Sequence, residues 1–253
     1  MKGLILKDLM CLRKQLIIFC YVVFAVFVVA IMYVLSARFG NLALAGKELL
    51  MDQGLSAFDV RSIAKTALVL FMLLPIATVG DMANVFAEDG RAGFVKVASV
   101  LPLSVRQRVL ARYITIFAMF GIGVAVDLVL AFTLSLLTDL ISFAEFFGII
   151  ISAASLMSIY SAFVIAFCIL LGYGREQYAT ILSVAMIAMV VIGCNYTKIK
   201  ALLLGQGSGG GLLRNFMDFI SHKSYVLLIA AILMIVLSFL VSVVTAERKR
   251  GRM

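Results

Sequence analysis

The chain has no tryptophan, two prolines and one histidine in 253 residues. Charge is scarce as well. Asp, Glu, Lys and Arg make up 14% of the sequence, against roughly 25% in a soluble domain. What fills the gap is apolar: 64% of residues are hydrophobic, and mean hydropathy is +1.16. A soluble fold of this length cannot hide so much apolar surface, so the composition specifies an all-α polytopic membrane protein. The lone histidine, His222, excludes His-rich metal sites and gives no support to Ser/His/Asp chemistry. The four cysteines, Cys11, Cys20, Cys168 and Cys194, show no paired spacing and read as small buried hydrophobes. The Gly-rich run at 205–211 is followed by Leu212, where a phosphate-binding loop needs Gly-Lys-Ser/Thr. It reads as a hinge between two half-length helices. No catalytic, metal or cofactor site is expected in this chain.

The basic excess has a simple reading. Twenty-two Lys and Arg against 13 Asp and Glu give +9. Nucleic acid is not the expected partner, since no basic face carries interleaved stacking aromatics. Membrane proteins gather Lys and Arg on cytoplasmic loops, and that accounts for the charge.

Taken in order, residues 1–15 place Ile5, Leu9, Leu12 and Leu16 on one helical stripe, with Lys7, Arg13 and Lys14 elsewhere. This predicts an amphipathic elbow helix lying in the membrane interface. A first span is expected over about 16–35, and a mixed segment follows at 36–62. Span 2 covers about 63–83 and holds Pro75, which should kink it. Spans 3, 4 and 5 cover about 113–136, 146–171 and 177–196. A tight Gly172–Gln177 turn joins the last two. Short extracellular helices are expected within 197–222, and span 6 runs over about 224–245. The whole chain, 1–253, reads as one transmembrane domain of six spans.

The break at 84–112 sets the functional reading. It is too polar for hydrocarbon and too apolar for a free tail. It opens with Glu88 and Asp89, holds Leu101-Pro102-Leu103-Ser104, and carries Arg91, Lys96, Arg106, Arg108 and Arg112. The expectation is a cytoplasmic helix and turn folded against the membrane and shaped to receive another protein. With the N-terminus inside, the inner segments hold 14 basic residues. These are those five with Lys2, Lys7, Arg13, Lys14, Arg175, Arg248, Lys249, Arg250 and Arg252. The outer segments hold eight: Arg38, Lys47, Arg61, Lys65, Lys198, Lys200, Arg214 and Lys223. The bias puts both termini in the cytoplasm.

Asp81 and Asp127 are the acids expected within spans. Asp127 lies 15 residues past Arg112, roughly 22 Å along a helix. An unpaired carboxylate at such depth costs at least ~2.5 kcal/mol. Two readings stay open: pairing with Lys65, or lining a path for a cationic substrate.

These residues resemble a known family. Met1-Lys2-Gly3-Leu4-Ile5-Leu6-Lys7-Asp8-Leu9 is similar to the start of ABC-2-type exporter permeases. Glu88-Asp89, Leu101-Pro102-Leu103-Ser104-Val105-Arg106 and Val109-Leu110-Ala111-Arg112-Tyr113 resemble the signature that follows their second span. The likeness is to the small bacterial class that includes phenol-soluble-modulin exporters. Where that family often has Trp after the acidic turn, Phe94 stands here; Gly90 and Gly93 flank Arg91. The resemblance implies an elbow helix, six spans and a cytoplasmic coupling helix between spans 2 and 3. Coupling to the ATPase would fall on Glu88, Asp89, Arg91, Phe94, Leu101, Pro102 and Ser104. It also implies a second permease, identical or related, and two cytosolic ATPase subunits that carry the ATP and Mg. The cargo would be an amphipathic or antimicrobial peptide or another hydrophobic compound, moved out across a bacterial cell membrane. A membrane immunity or scaffold protein and an ion-coupled secondary transporter are the competing readings.

Overall fold

A computed structural model describes residues 2–39, 68–79, 83–92, 94, 104–137, 142–172, 174–194 and 224–250. All regular structure among them is helical. The helices are α1 (Lys2–Cys11), α2 (Arg13–Phe39), α3 (Leu68–Val79), α4 (Ala83–Arg91), α5 (Val105–Leu137), α6 (Phe143–Leu171), α7 (Glu176–Cys194) and α8 (Ser224–Arg250). Four of these, α2, α5, α6 and α8, are long and apolar enough to cross a membrane, and α3 is a shorter apolar helix. α3 and α7 lie where spans 2 and 5 were expected. The segments 40–67 and 197–222, with the expected extracellular helices, lie outside the described residues.

Two boundaries differ from expectation. Span 3 was expected from about 113, yet α5 begins at Val105. Arg106, Arg108 and Arg112 therefore stand on the first turns of a membrane helix and not on a loop. The start is fixed by a reciprocal cap that sequence alone permits. Ser104 Oγ accepts from the Gln107 N–H at 3.2 Å, and Gln107 Oε1 accepts from the Ser104 N–H at 3.2 Å. Each group satisfies a donor that the first turn would otherwise leave bare. Likewise α8 was expected to end near 245 and continues to Arg250. There the Lys249 ammonium donates to the carbonyls of Ile169 (2.8 Å) and Leu170 (3.0 Å) at the end of α6. A cation at a helix C-terminus meets the negative end of the peptide dipoles.

Between α6 and α7 the chain turns through Gly172 and Gly174, both at positive φ (88° and 84°). A side chain at either place would strain the backbone. α6 starts at Ser142, whose hydroxyl accepts from the Glu145 N–H.

α3 is irregular as Pro75 requires. At Leu73 the helix relaxes to a turn, and the Leu73 N–H is shared between Val69 (3.2 Å) and Leu70 (3.3 Å) carbonyls. Pro75 has no N–H to give. The regular helix resumes over Leu74–Val79.

Inside the bundle, polar groups join helices that hydrocarbon alone would not orient. Tyr113 and Ser238 hydroxyls are 2.6 Å apart, and Ser238 donates to the Ala162 carbonyl at 2.6 Å, so α5, α8 and α6 meet in one chain of hydrogen bonds. Tyr113 also packs edge-on against Phe239, with ring centroids 5.5 Å apart. Outward, Tyr21, Phe24, Tyr178, Ile181, Ile229 and Leu233 are exposed. On helices of this length that is the face expected against lipid tails.

Among the described residues, α1 and the end of α8 both meet the base of α5. Arg106 on α5 is 3.3 Å from Glu247 on α8, and Arg112 on α5 meets Asp8 on α1.

Candidate functional site: an ionic junction of three helices

The buried stripe of the N-terminal region runs Asp8, Leu12, Phe19, Val26, Ala30. The turn at Leu12 separates α1 from α2 without breaking the ladder, since Leu12 bonds back to Asp8 and Leu16 to Leu12. The first member of that stripe is an acid. Asp8 is 2% exposed, and only a charged partner makes such a position tolerable.

Its bases are Lys7 on the same helix and Arg112 on α5, and both are shared with Asp89 on α4. Lys7 Nζ lies 3.0 Å from Asp8 Oδ1 and 2.5 Å from Asp89 Oδ1 on α4. Arg112 on α5 pairs through Nη2 with Asp89 Oδ2, and its Nη1 is 3.5 Å from Asp8 Oδ1. Asp89 is 2% exposed and the Arg112 side chain 13%. Two acids and two bases thus cancel in one buried cluster. Aromatic faces complete it: Lys7 Nζ sits 3.7 Å from the Phe94 centroid, and the Arg112 guanidinium carbon 4.8 Å from that of Phe86. Both contacts are within cation–π range. Beside Asp8 and Arg112 is a cavity of ≈ 10 Å³, walled also by Val85, Phe86, Thr115 and Ile116. It has room for about one water.

Burial holds the Lys7 ammonium below the ordinary lysine value of 10.5, and Arg112 pushes the same way; Asp8 opposes them. Desolvation outweighing attraction is the general behaviour of buried ion pairs. The cluster therefore fixes geometry more than it adds stability. Removing one member leaves a charge buried without its counterion, which costs ~3–5 kcal/mol. Chemically it does nothing but hold: α1, α4 and the base of α5 are tied as one unit.

The expected site residues fall into distinct places. Asp89 is turned inward and spent on Lys7 and Arg112. Its neighbours Glu88 and Arg91 face outward and pair with each other at 3.1 Å. Phe94 lies under Lys7. Ser104 caps α5. Leu101, Pro102, Asp81 and Lys65 lie outside the described residues. Asp127 is 0% exposed, far along α5 from the cluster. Neither oxygen has a hydrogen-bond partner among the described residues.

Sequence reasoning missed three members of the cluster: Lys7, which it placed off the apolar stripe of the elbow helix, Asp8 and Arg112. One signal was available. Asp8 lies one helical turn before Leu12, on the apolar stripe, and an acid there needs a base.

Neither a curated protein nor a solved structure matches the chain significantly. A family model described as "ABC-2 family transporter protein" matches residues 55–248. The match takes in Asp89, Arg112, Asp127 and the helices from α3 into α8, and leaves Lys7 and Asp8 ahead of it. With several apolar helices of membrane-spanning length in an all-helical bundle, the chain belongs to the ABC-2 family of transporter proteins.

Proposed function

We propose that this chain is the permease subunit of an ATP-driven exporter in a bacterial cell membrane. The unit has six spans and both termini are cytoplasmic. A second permease stands beside it, and two cytosolic ATPases supply ATP hydrolysis. Cargo is an amphipathic or antimicrobial peptide or another hydrophobic compound. The observation that carries this reading is the junction of α1, α4 and α5. An outward-facing pair, Glu88 and Arg91, sits on the same short helix as the inward-facing Asp89. A push received on the outer face of α4 reaches Asp89, and through Arg112 the base of a membrane helix. The basic pole supports the orientation, because Arg13, Lys14, Arg106, Arg175 and Arg248 are exposed there.

The test separates transmission from folding. Glu88→Gln with Arg91→Gln removes an exposed pair, which is worth ~0–1 kcal/mol, so the protein should insert and melt normally. In vesicles with its ATPase, ATP hydrolysis should continue while export of an amphipathic peptide falls. Export driven by an ion gradient without ATP would contradict the permease reading. Unchanged export per ATP in the double variant would remove α4 as the docking face.

A further inference from the structure

The buried acid that the junction does not use is Asp127. The antiparallel packing of α3 on α5 places it. Arg112 meets Asp89 at one end, and farther along, a Cβ on Gly123 would lie 3.6 Å from the Ile76 Cα and 3.5 Å from Val79 Cγ2. The helices are almost in backbone contact, and Asp127 is one turn beyond Gly123 on the buried side of α5. It faces the stretch of α3 where Pro75 interrupts the hydrogen-bond ladder. Broken membrane helices with an ionisable side chain beside them are where transporters hold ions and protons.

The occupant follows from space and charge. Asp127 is wholly buried, and both oxygens lack a hydrogen-bond partner among the described residues. Described residues of α3 carry no ionisable side chain. Along their apolar lengths, α2 brings Cys20 and Tyr21, α6 brings Tyr160 and Cys168, and α8 brings Tyr225; among the described side chains of these stretches none is a cation, Tyr33 and Arg38 near the end of α2 lying outside them. Where α3 and α5 meet at Gly123, their close contact leaves little room between them for a peptide's amine. A proton needs no opening, and a protonated carboxyl gains a donor that a carboxylate lacks.

We propose that Asp127 is an intramembrane proton site: it carries a proton while α3 and α5 are packed together, and releases it to water when that contact opens. The packed state then binds one more proton than the opened state, in which a hydrated aspartate is ionised at neutral pH. Acid therefore favours the packed state and alkali the open one.

Infrared difference spectroscopy on the purified wild type against Asp127→Asn tests this without any assumption about cargo or ATPase. At neutral pH the wild type should show the carbonyl band of a protonated carboxylic acid, shifted in heavy water, and the variant should lack it. Asp127→Asn, which copies the protonated form, should assemble as the wild type does. In reconstituted vesicles its transport should be slower and should lose one step of the pH profile. Absence of the band overturns the proposal. So does loss of assembly in both Asp127→Asn and Lys65→Met, which would mark an ion pair instead. Transport by Asp127→Asn at the wild-type rate and pH profile would overturn the releasing step.

Discussion

Asp89, on α4 beside the base of α5, and Asp127, on α5 itself, are the same side chain in two settings. Asp89 is 2% exposed and held by Lys7 and Arg112; Asp127 is fully buried and has no hydrogen-bond partner among the described residues. Burial alone therefore does not decide what an acid does. At the basic pole, counterions from two helices make the carboxylate a rivet. Beyond Gly123, apolar side chains and a broken helix leave it to a proton. The first arrangement resists motion, and the second is suited to register it.

Removing counterions from the rivet should have the largest effect. Arg112→Met leaves Asp8 and Asp89 with Lys7 alone and should cost ~3–5 kcal/mol. The measure is the melting temperature in nanodiscs, with surface expression lost in parallel. Replacing all four members at once, Lys7→Met, Asp8→Leu, Asp89→Leu and Arg112→Met, should recover most of that stability, because well-packed apolar groups substitute for buried ion pairs. If the quadruple variant is stable but exports nothing, the cluster is a transmission element and not a folding requirement.

The contact beside Asp127 should respond to size, not charge. At Gly123 a bare Cβ meets ordinary van der Waals distances, so Gly123→Ala should be tolerated. Gly123→Leu should wedge α3 from α5 at ~1–3 kcal/mol. Hydrogen exchange at Ile76 and Val79 should rise in the leucine variant alone.

A smaller loss is expected where neutral hydroxyls do the joining. Tyr113→Phe deletes the 2.6 Å contact to Ser238 but leaves Ser238 bonded to Ala162. The cost should be ~0.5–1.5 kcal/mol, read from the same melting curves.

The smallest effect is a slope. An unfolded lysine holds its proton up to about 10.5 and buried Lys7 loses it sooner. Between the lowered value and 10.5 the unfolded chain binds more protons, so the Lys7 contribution to stability rises with pH. Lys7→Met should remove that rise from the alkaline limb of the melting profile.

How much of this was legible in the sequence depends on the range of the forces involved. Apolar length and charge counting mark out α2, α5, α6 and α8, because a membrane helix announces itself locally. Pro75 and the Gly172–Gly174 turn are legible for the same reason: each constrains its own backbone. The start of α5 was placed eight residues late, since three arginines outweighed the Ser104–Gln107 cap in a reading by hydropathy. The junction was half legible. Asp89 was singled out, but as a contact for a partner, because its real counterions stand on α1 and α5 and no local pattern joins them. Asp127 was legible as an anomaly. Its surroundings depend on how α3 packs, which a sequence does not state.

The central claim is that α1 is held on α4 by charge. A double-mutant cycle between Lys7→Met and Asp89→Leu, read as thermal stability in nanodiscs, tests it most directly. The two residues are 82 positions apart in sequence and 2.5 Å apart in space. The account predicts strong non-additivity, with a coupling energy of about 1–3 kcal/mol, as for contacting residues in one network. Losses that simply add, to within roughly 0.5 kcal/mol, would contradict it.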